Sequence, residues 1–132
     1  MLNQLIYPMV GHVAWTASLY VLLTVLRAPT IWKIGSRNDG SNPWANIEPK
    51  VSANLSNQFE WPIFFYVVCL LLLLDESLFN TNYLWLAWLF VLGRVVHSLV
   101  QILTSNIRLR GIVFTINFIA VLGMWTLYIV NS

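Results

Sequence analysis

Charge is scarce in this sequence: 9% of its 132 residues are charged, against about a quarter in an ordinary soluble domain. With 58% of the residues hydrophobic, a soluble fold of this size could not hide its apolar surface, because small domains bury a smaller fraction of it than large ones. The single cysteine, Cys69, excludes an internal disulfide and says nothing about redox compartment. No basic run or basic–aromatic stripe exists to neutralise phosphates, which excludes nucleic acid as a partner. The net charge of +2 rests on very few ionisable groups and implies no acidic partner. There is no Cys/His cluster with zinc spacing, no Gly-rich phosphate loop, no serine nucleophile elbow and no prenylation signal at the end. The first apolar stretch follows Met1-Leu2-Asn3-Gln4, which lacks a basic n-region. It is therefore expected to be a permanent span and not a cleaved signal.

Long apolar runs are what the chain does have. A helix needs roughly 20 apolar residues to cross the hydrocarbon core. Four stretches qualify, at about residues 6–26, 51–74, 83–103 and 111–130. The fold class expected is all-α, a single membrane domain over residues 1–132 built as a four-transmembrane-helix bundle, with membrane lipids as its solvent. Residues 28–50, rich in Gly, Pro, Asn and Ser, read as a loop. The other connections are short, which makes neighbouring helices antiparallel.

Basic side chains orient the bundle. Arg27, Lys33, Arg37 and Lys50 surround the first connection, and Arg108 and Arg110 lie in the third. The second connection holds Asp75 and Glu76 without Lys or Arg, and neither terminus is basic. By the positive-inside rule the first and third connections are cytoplasmic and both ends lie outside. Trp32, Trp44, Trp85 and Trp125 fall near the expected interfaces, as an aromatic belt would.

Ionisable residues inside a membrane are costly, and each is a candidate for function. Glu60 in the second span and Arg94 and His97 in the third stand out. Glu60 lies about 15 Å along its helix from the basic end, and Arg94 about 16 Å from the opposite end, at 1.5 Å per residue. The two are thus near the midplane at similar heights, and an ion pair between them is expected, since either charge alone would be far worse off. Asn54, Asn57 and Glu60 recur at helical spacing on the second span. Arg94, His97, Gln101 and Thr104 do so on the third, with Arg108 continuing the line. Together they outline a wedge open to the cytoplasm, with Arg27, Lys50, Arg108 and Arg110 at its rim and Glu60, Arg94 and His97 at its floor. The same pattern also fits a purely structural role, with polar side chains bonding between helices. His12 on the first span reads as structural and Cys69 as packing. Pro62 is expected to kink the second span just beyond Glu60.

Asn57-Gln58-Phe59-Glu60, followed by Trp61-Pro62-Ile63-Phe64, resembles the Asn-x-x-Glu and nearby proline of the second helix in the MAPEG family. These are the membrane-associated proteins of eicosanoid and glutathione metabolism. Gly93-Arg94-Val95-Val96-His97 resembles the Arg-Val-x-His segment of the same family's third helix. The order and four-span layout match over nearly the whole chain, and residues 57–66 look most like the small bacterial branch. The resemblance implies a homotrimer with sites between neighbouring subunits. It implies glutathione as co-substrate, entering from the cytoplasmic side, and a lipophilic small molecule arriving through the bilayer. It makes Arg110 the catalytic arginine that holds the thiolate. Asn57, Glu60, Arg94 and His97 would bind or brace the tripeptide, Arg27 or Lys33 would be the first-helix contribution, and Lys50 a partial substitute for a missing arginine. It further implies a bacterial inner membrane with both termini periplasmic.

Three departures from the family pattern bear on function. Ala53 stands where enzymes commonly carry an arginine, Gln101 where they have a tyrosine, and Gly111 where some have a serine. The expected function is a glutathione-dependent transferase or peroxidase acting on lipophilic electrophiles or lipid hydroperoxides. The alternatives are a non-catalytic lipid-binding or accessory subunit of a larger membrane complex, and transport through Glu60, Arg94 and His97. Transport is opposed by the small number of spans and the lack of an internal repeat.

Overall fold

The computed structural model describes residues 2–132. A 3₁₀ turn over Leu2–Leu5 leads into α1 (Ile6–Trp32), followed by α2 (Glu48–Asn57) and α3 (Pro62–Leu74). A short 3₁₀ segment then precedes α4 (Thr81–Leu103) and α5 (Ile107–Asn131). The described residues contain no strand. Four helical rods are long and apolar enough to cross a membrane, with α2 and α3 together making one of them. Their outward faces carry exposed Val10, Val13, Val21 and Val25 on α1 and Ile112, Ile116 and Ile119 on α5. Apolar stripes of this extent are unstable in water and matched to lipid, where helices also satisfy their own backbone. The protein is an integral, multi-pass membrane protein.

Helix ends follow local chemistry. Asn80 caps α4 by accepting from the Asn82 amide at 3.0 Å, and Asn106 caps α5 by accepting from the Leu109 amide at 3.0 Å. The Asn106 cap starts α5 early, so Arg108 and Arg110 stand in its first turns and not in a connection. Arg108 therefore does not continue the polar line of α4, which stops at Leu103 with Thr104 already extended. The second span is interrupted more strongly than a kink. Pro62 lacks an N–H and its ring crowds the carbonyl four residues back. Residues 58–61 consequently leave the α-helix, bridged by short-range bonds such as Phe59 N–H to Ser56 O at 3.1 Å and Ile63 N–H to Glu60 O at 3.2 Å. Pro62 then opens α3 at its first position, where no N–H is required.

Packing divides the interior into two apolar clusters with a polar layer between them. Toward the acidic end, Phe65 stacks on Phe90 at 4.3 Å among Leu5, Val68, Leu72, Tyr83 and Met124. Toward the basic end, Leu19, Leu23, Leu26, Val51 and Leu55 pack together. Between the clusters lie buried His12, Asn54, Gln58, Arg94, His97, Ser98 and Asn117. At the basic rim Arg27 Nε meets Glu48 Oε1 at 2.6 Å, with Ser52 Oγ at 3.2 Å from its Nη2. Both partners are solvent-accessible, at 45% and 23%, so screening leaves the pair worth under about 1 kcal/mol. Arg27→Ala should accordingly shift unfolding in mixed micelles by no more than that. A larger loss would give this pair a role beyond tethering α1 to α2.

Candidate functional site

Gln58 is the hub of the polar layer. Its Oε1 accepts from Arg94 Nε at 3.2 Å and lies 2.9 Å from His12 Nε2. A guanidinium only donates, so this atom of Gln58 is the acceptor and His12 Nε2 carries the ring proton. His12 Nδ1 is then a bare acceptor, and it takes the Tyr66 hydroxyl proton at 2.6 Å. On its other side Gln58 Nε2 donates toward Asn54 Oδ1 at 3.2 Å and Ser98 Oγ at 3.4 Å. Asn54 Nδ2 donates onward to Gln101 Oε1 at 2.9 Å, and Asn57 Nδ2 points to the same oxygen at 3.5 Å. Every bond from Tyr66 to Gln101 therefore donates in one direction, toward the basic end.

The ion pair expected between Glu60 and Arg94 does not form. Among the described residues the ion pair within 4.0 Å is Arg27–Glu48. The break before Pro62 explains the difference. An unbroken helix would have put Asn57 and Glu60 on one face, but α2 stops at Asn57, Gln58 turns inward and is 3% exposed, and Glu60 is exposed. Arg94, 1% exposed, takes the neutral Gln58 oxygen in place of a carboxylate. The expected floor of the wedge loses Glu60 in the same way.

Two adjoining cavities open at the basic end. One, of about 340 Å³, is lined by Asn57, His97, Gln101, Arg110, Gly111 and Phe114. The other, of about 400 Å³, is bordered by Lys50, Ala53, Thr104, Ser105 and Asn106, and shares Gln101, Ile107 and Arg110 with the first. Asn57, His97 and Arg110 are thus brought together from three helices, with Lys50 beside them. Lys50 Nζ reaches the Thr104 carbonyl at 3.5 Å. Arg27, engaged with Glu48, and Glu60, at the exposed break, border neither cavity. Arg94 lies beneath, bonded to Gln58.

Side chains facing these cavities have hydrogen-bonding capacity to spare. His97, on the wall of the first cavity, is 3% exposed, yet its Nδ1 makes no bond to any described residue. Gln101 spends its oxygen on Asn54 and Asn57, which turns its NH₂ group away from them. Gln101 lines both cavities, and its NH₂ group is the donor it has left. Sequence reasoning missed Gln58 as the hub and His12 as part of the network. The available signal was the proline four residues after Gln58, since a break there reassigns which side chain faces inward.

A four-helix membrane bundle with a polar midplane and a basic, cavity-bearing end defines the class of protein. A family model, the MAPEG family, matches residues 5–130. The chain belongs to the MAPEG family. No curated protein and no solved structure matches it.

Proposed function

We propose that the protein is a glutathione-dependent membrane transferase or peroxidase acting on lipophilic electrophiles or lipid hydroperoxides. The observation that carries this reading is the convergence of Asn57, His97, Gln101 and Arg110 on one cavity. Lys50 borders the cavity adjoining it. Glutathione brings two carboxylates, an amide backbone and a thiol. Lys50 would meet a carboxylate, and Asn57, His97 and the Gln101 NH₂ group would serve the polar backbone. Arg110 would sit beside the sulfur, where a guanidinium favours the thiolate and so supplies the nucleophile at neutral pH. The thiolate then attacks an electrophilic carbon, forming a C–S bond as a leaving group departs with its electron pair or as a conjugated acceptor takes the pair and then a proton. With a hydroperoxide it attacks the terminal oxygen and breaks the O–O bond, so the alkoxide leaves and takes a proton as the alcohol, and a second glutathione displaces water from the sulfenic acid formed, giving the disulfide. The basic end would face the cytoplasm, in a bacterial inner membrane with periplasmic termini. A homotrimer, which the family resemblance implies, is part of the same proposal, and a neighbouring copy would shield Glu60, exposed near the middle of a span, from lipid.

Ala53 on the wall of the second cavity supports the alternative of a non-catalytic lipid-binding or accessory subunit, since position 53 itself carries no cation. Calorimetry on the purified protein in detergent separates the two. Saturable glutathione binding is expected, weakened at least about tenfold by Arg110→Ala, the size of a lost charge-assisted bond. Silence at millimolar glutathione would transfer the case to the accessory reading.

A further inference from the structure

A guanidinium can only donate hydrogen bonds. Arg94 Nε, donating to Gln58 Oε1 at 3.2 Å, therefore decides which end of the Gln58 amide faces it. The Gln58 NH₂ group is left to face Asn54, whose Oδ1 lies 3.2 Å away. Asn54 has to offer its oxygen there, so its own NH₂ group faces outward, onto Gln101 Oε1 at 2.9 Å. Asn57 Nδ2, at 3.5 Å from the same oxygen, adds a second and longer contact. Gln101 is half-buried and stands in the walls of both basic-end cavities. With its oxygen held by Asn54, the group it has left for a ligand is its NH₂.

Burial makes this relay rigid. Arg94, Gln58 and Asn54 are 1%, 3% and 0% exposed, so bulk water does not reach them to accept a misplaced proton. Reversing any one of the three amides sets two donors or two acceptors face to face, in surroundings that do not replace the lost bond. A reversal confined to Gln101 would turn its NH₂ group onto those of Asn54 and Asn57. Asn54 itself borders neither cavity and reaches them only through Gln101.

We propose that Asn54 is a positioning residue that holds the Gln101 amide with its NH₂ group toward the basic-end cavities, which thereby select a ligand that places a carbonyl or carboxylate oxygen beside Gln101. The relay is a property of the chain itself. Glutathione as the molecule that supplies the oxygen rests on the function proposed above.

Nuclear magnetic resonance on the full-length protein in detergent, with nitrogen-15 in its glutamine side chains, tests the relay without any ligand. The sequence has three glutamines, Gln4, Gln58 and Gln101, and each NH₂ signal is assigned by its loss on substitution with Glu. The Gln101 NH₂ group should be ordered and in contact with water, and that of Gln58 ordered and shielded. Asn54→Leu should drop the Gln101 order parameter below about 0.6, the flexible range. Gln58 should stay ordered in that variant, because Arg94, His12 and the backbone carbonyl of residue 54 still hold it. Equal loosening of both amides would make Asn54 a structural tie and overturn the proposal. So would a Gln101 NH₂ group shielded from water in the wild-type chain, or one whose order survives Asn54→Leu.

Calorimetry with glutathione reads the polarity. Asn54→Leu should weaken binding about fivefold, the size of one hydrogen bond. Gln101→Glu keeps an oxygen for Asn54 and Asn57 and sets a second oxygen where the NH₂ group stood, and should weaken it at least about tenfold. An affinity unchanged by Gln101→Glu would overturn the proposal. No glutathione binding by the wild-type chain would instead overturn the function proposed above, and the relay then stands or falls on the Gln101 signal.

Discussion

Gln58→Leu should destabilise the bundle by about 2–3 kcal/mol, the cost of removing a hydrogen-bond acceptor from a buried charge. In the wild-type chain one amide oxygen receives both Arg94 Nε and His12 Nε2, and the attached NH₂ group holds Asn54 and Ser98. Leucine fills similar space and returns none of these bonds. It strands a guanidinium that is 1% exposed and whose Nη2 already lacks a partner among the described residues. Gln58→Glu keeps the two acceptors and adds a charge opposite Arg94, and should recover a large part of the loss. Unfolding in mixed micelles, followed by circular dichroism, reads both variants. A leucine variant within about 1 kcal/mol of wild type would mean that Arg94 finds another partner and that Gln58 is not the hub.

Gly93→Ala should be nearly as damaging for a different reason. A Cβ at that position would stand 2.1 Å from Asn117 Oδ1 and 3.2 Å from its Cγ. Both residues are buried in the contact between α4 and α5. Small residues let membrane helices approach closely, and packing is what holds them together there. The added methyl group forces the helices apart or Asn117 out of its rotamer, at a cost of about 1–3 kcal/mol. Asn117 makes no side-chain hydrogen bond to the described residues, so Asn117→Ala gives up little and frees the space. The double variant Gly93→Ala/Asn117→Ala should therefore be more stable than Gly93→Ala alone. If it is not, the damage comes from elsewhere in the helix contact.

The spans, the family and the cavity-forming trio could be read before any coordinates. Apolar run length is a local property, and so is the placement of Arg27, Lys50, Arg108 and Arg110 at the ends of runs. Asn57, His97 and Arg110 could be named because their motifs match a family pattern. The partner of Arg94 could not. Height along an ideal helix put Glu60 opposite it, but that reasoning assumes one continuous helical phase through the second span. Pro62 resets the phase, and the four residues before it decide which side chain points inward. The same applies to Gln101, whose identity suggested a lost contact. Only the bonds from Asn54 and Asn57 orient its amide and make it a donor.

By itself, then, the sequence determined that this chain lives in a bilayer as four helices with a basic end, because hydropathy and charge act residue by residue and need no partner. Tertiary structure alone decided that a glutamine neutralises Arg94's isolation. It also decided that two adjoining cavities share Arg110 in their walls. Each of these depends on the relative rotation of packed helices, and that rotation is set by contacts between residues far apart in the chain.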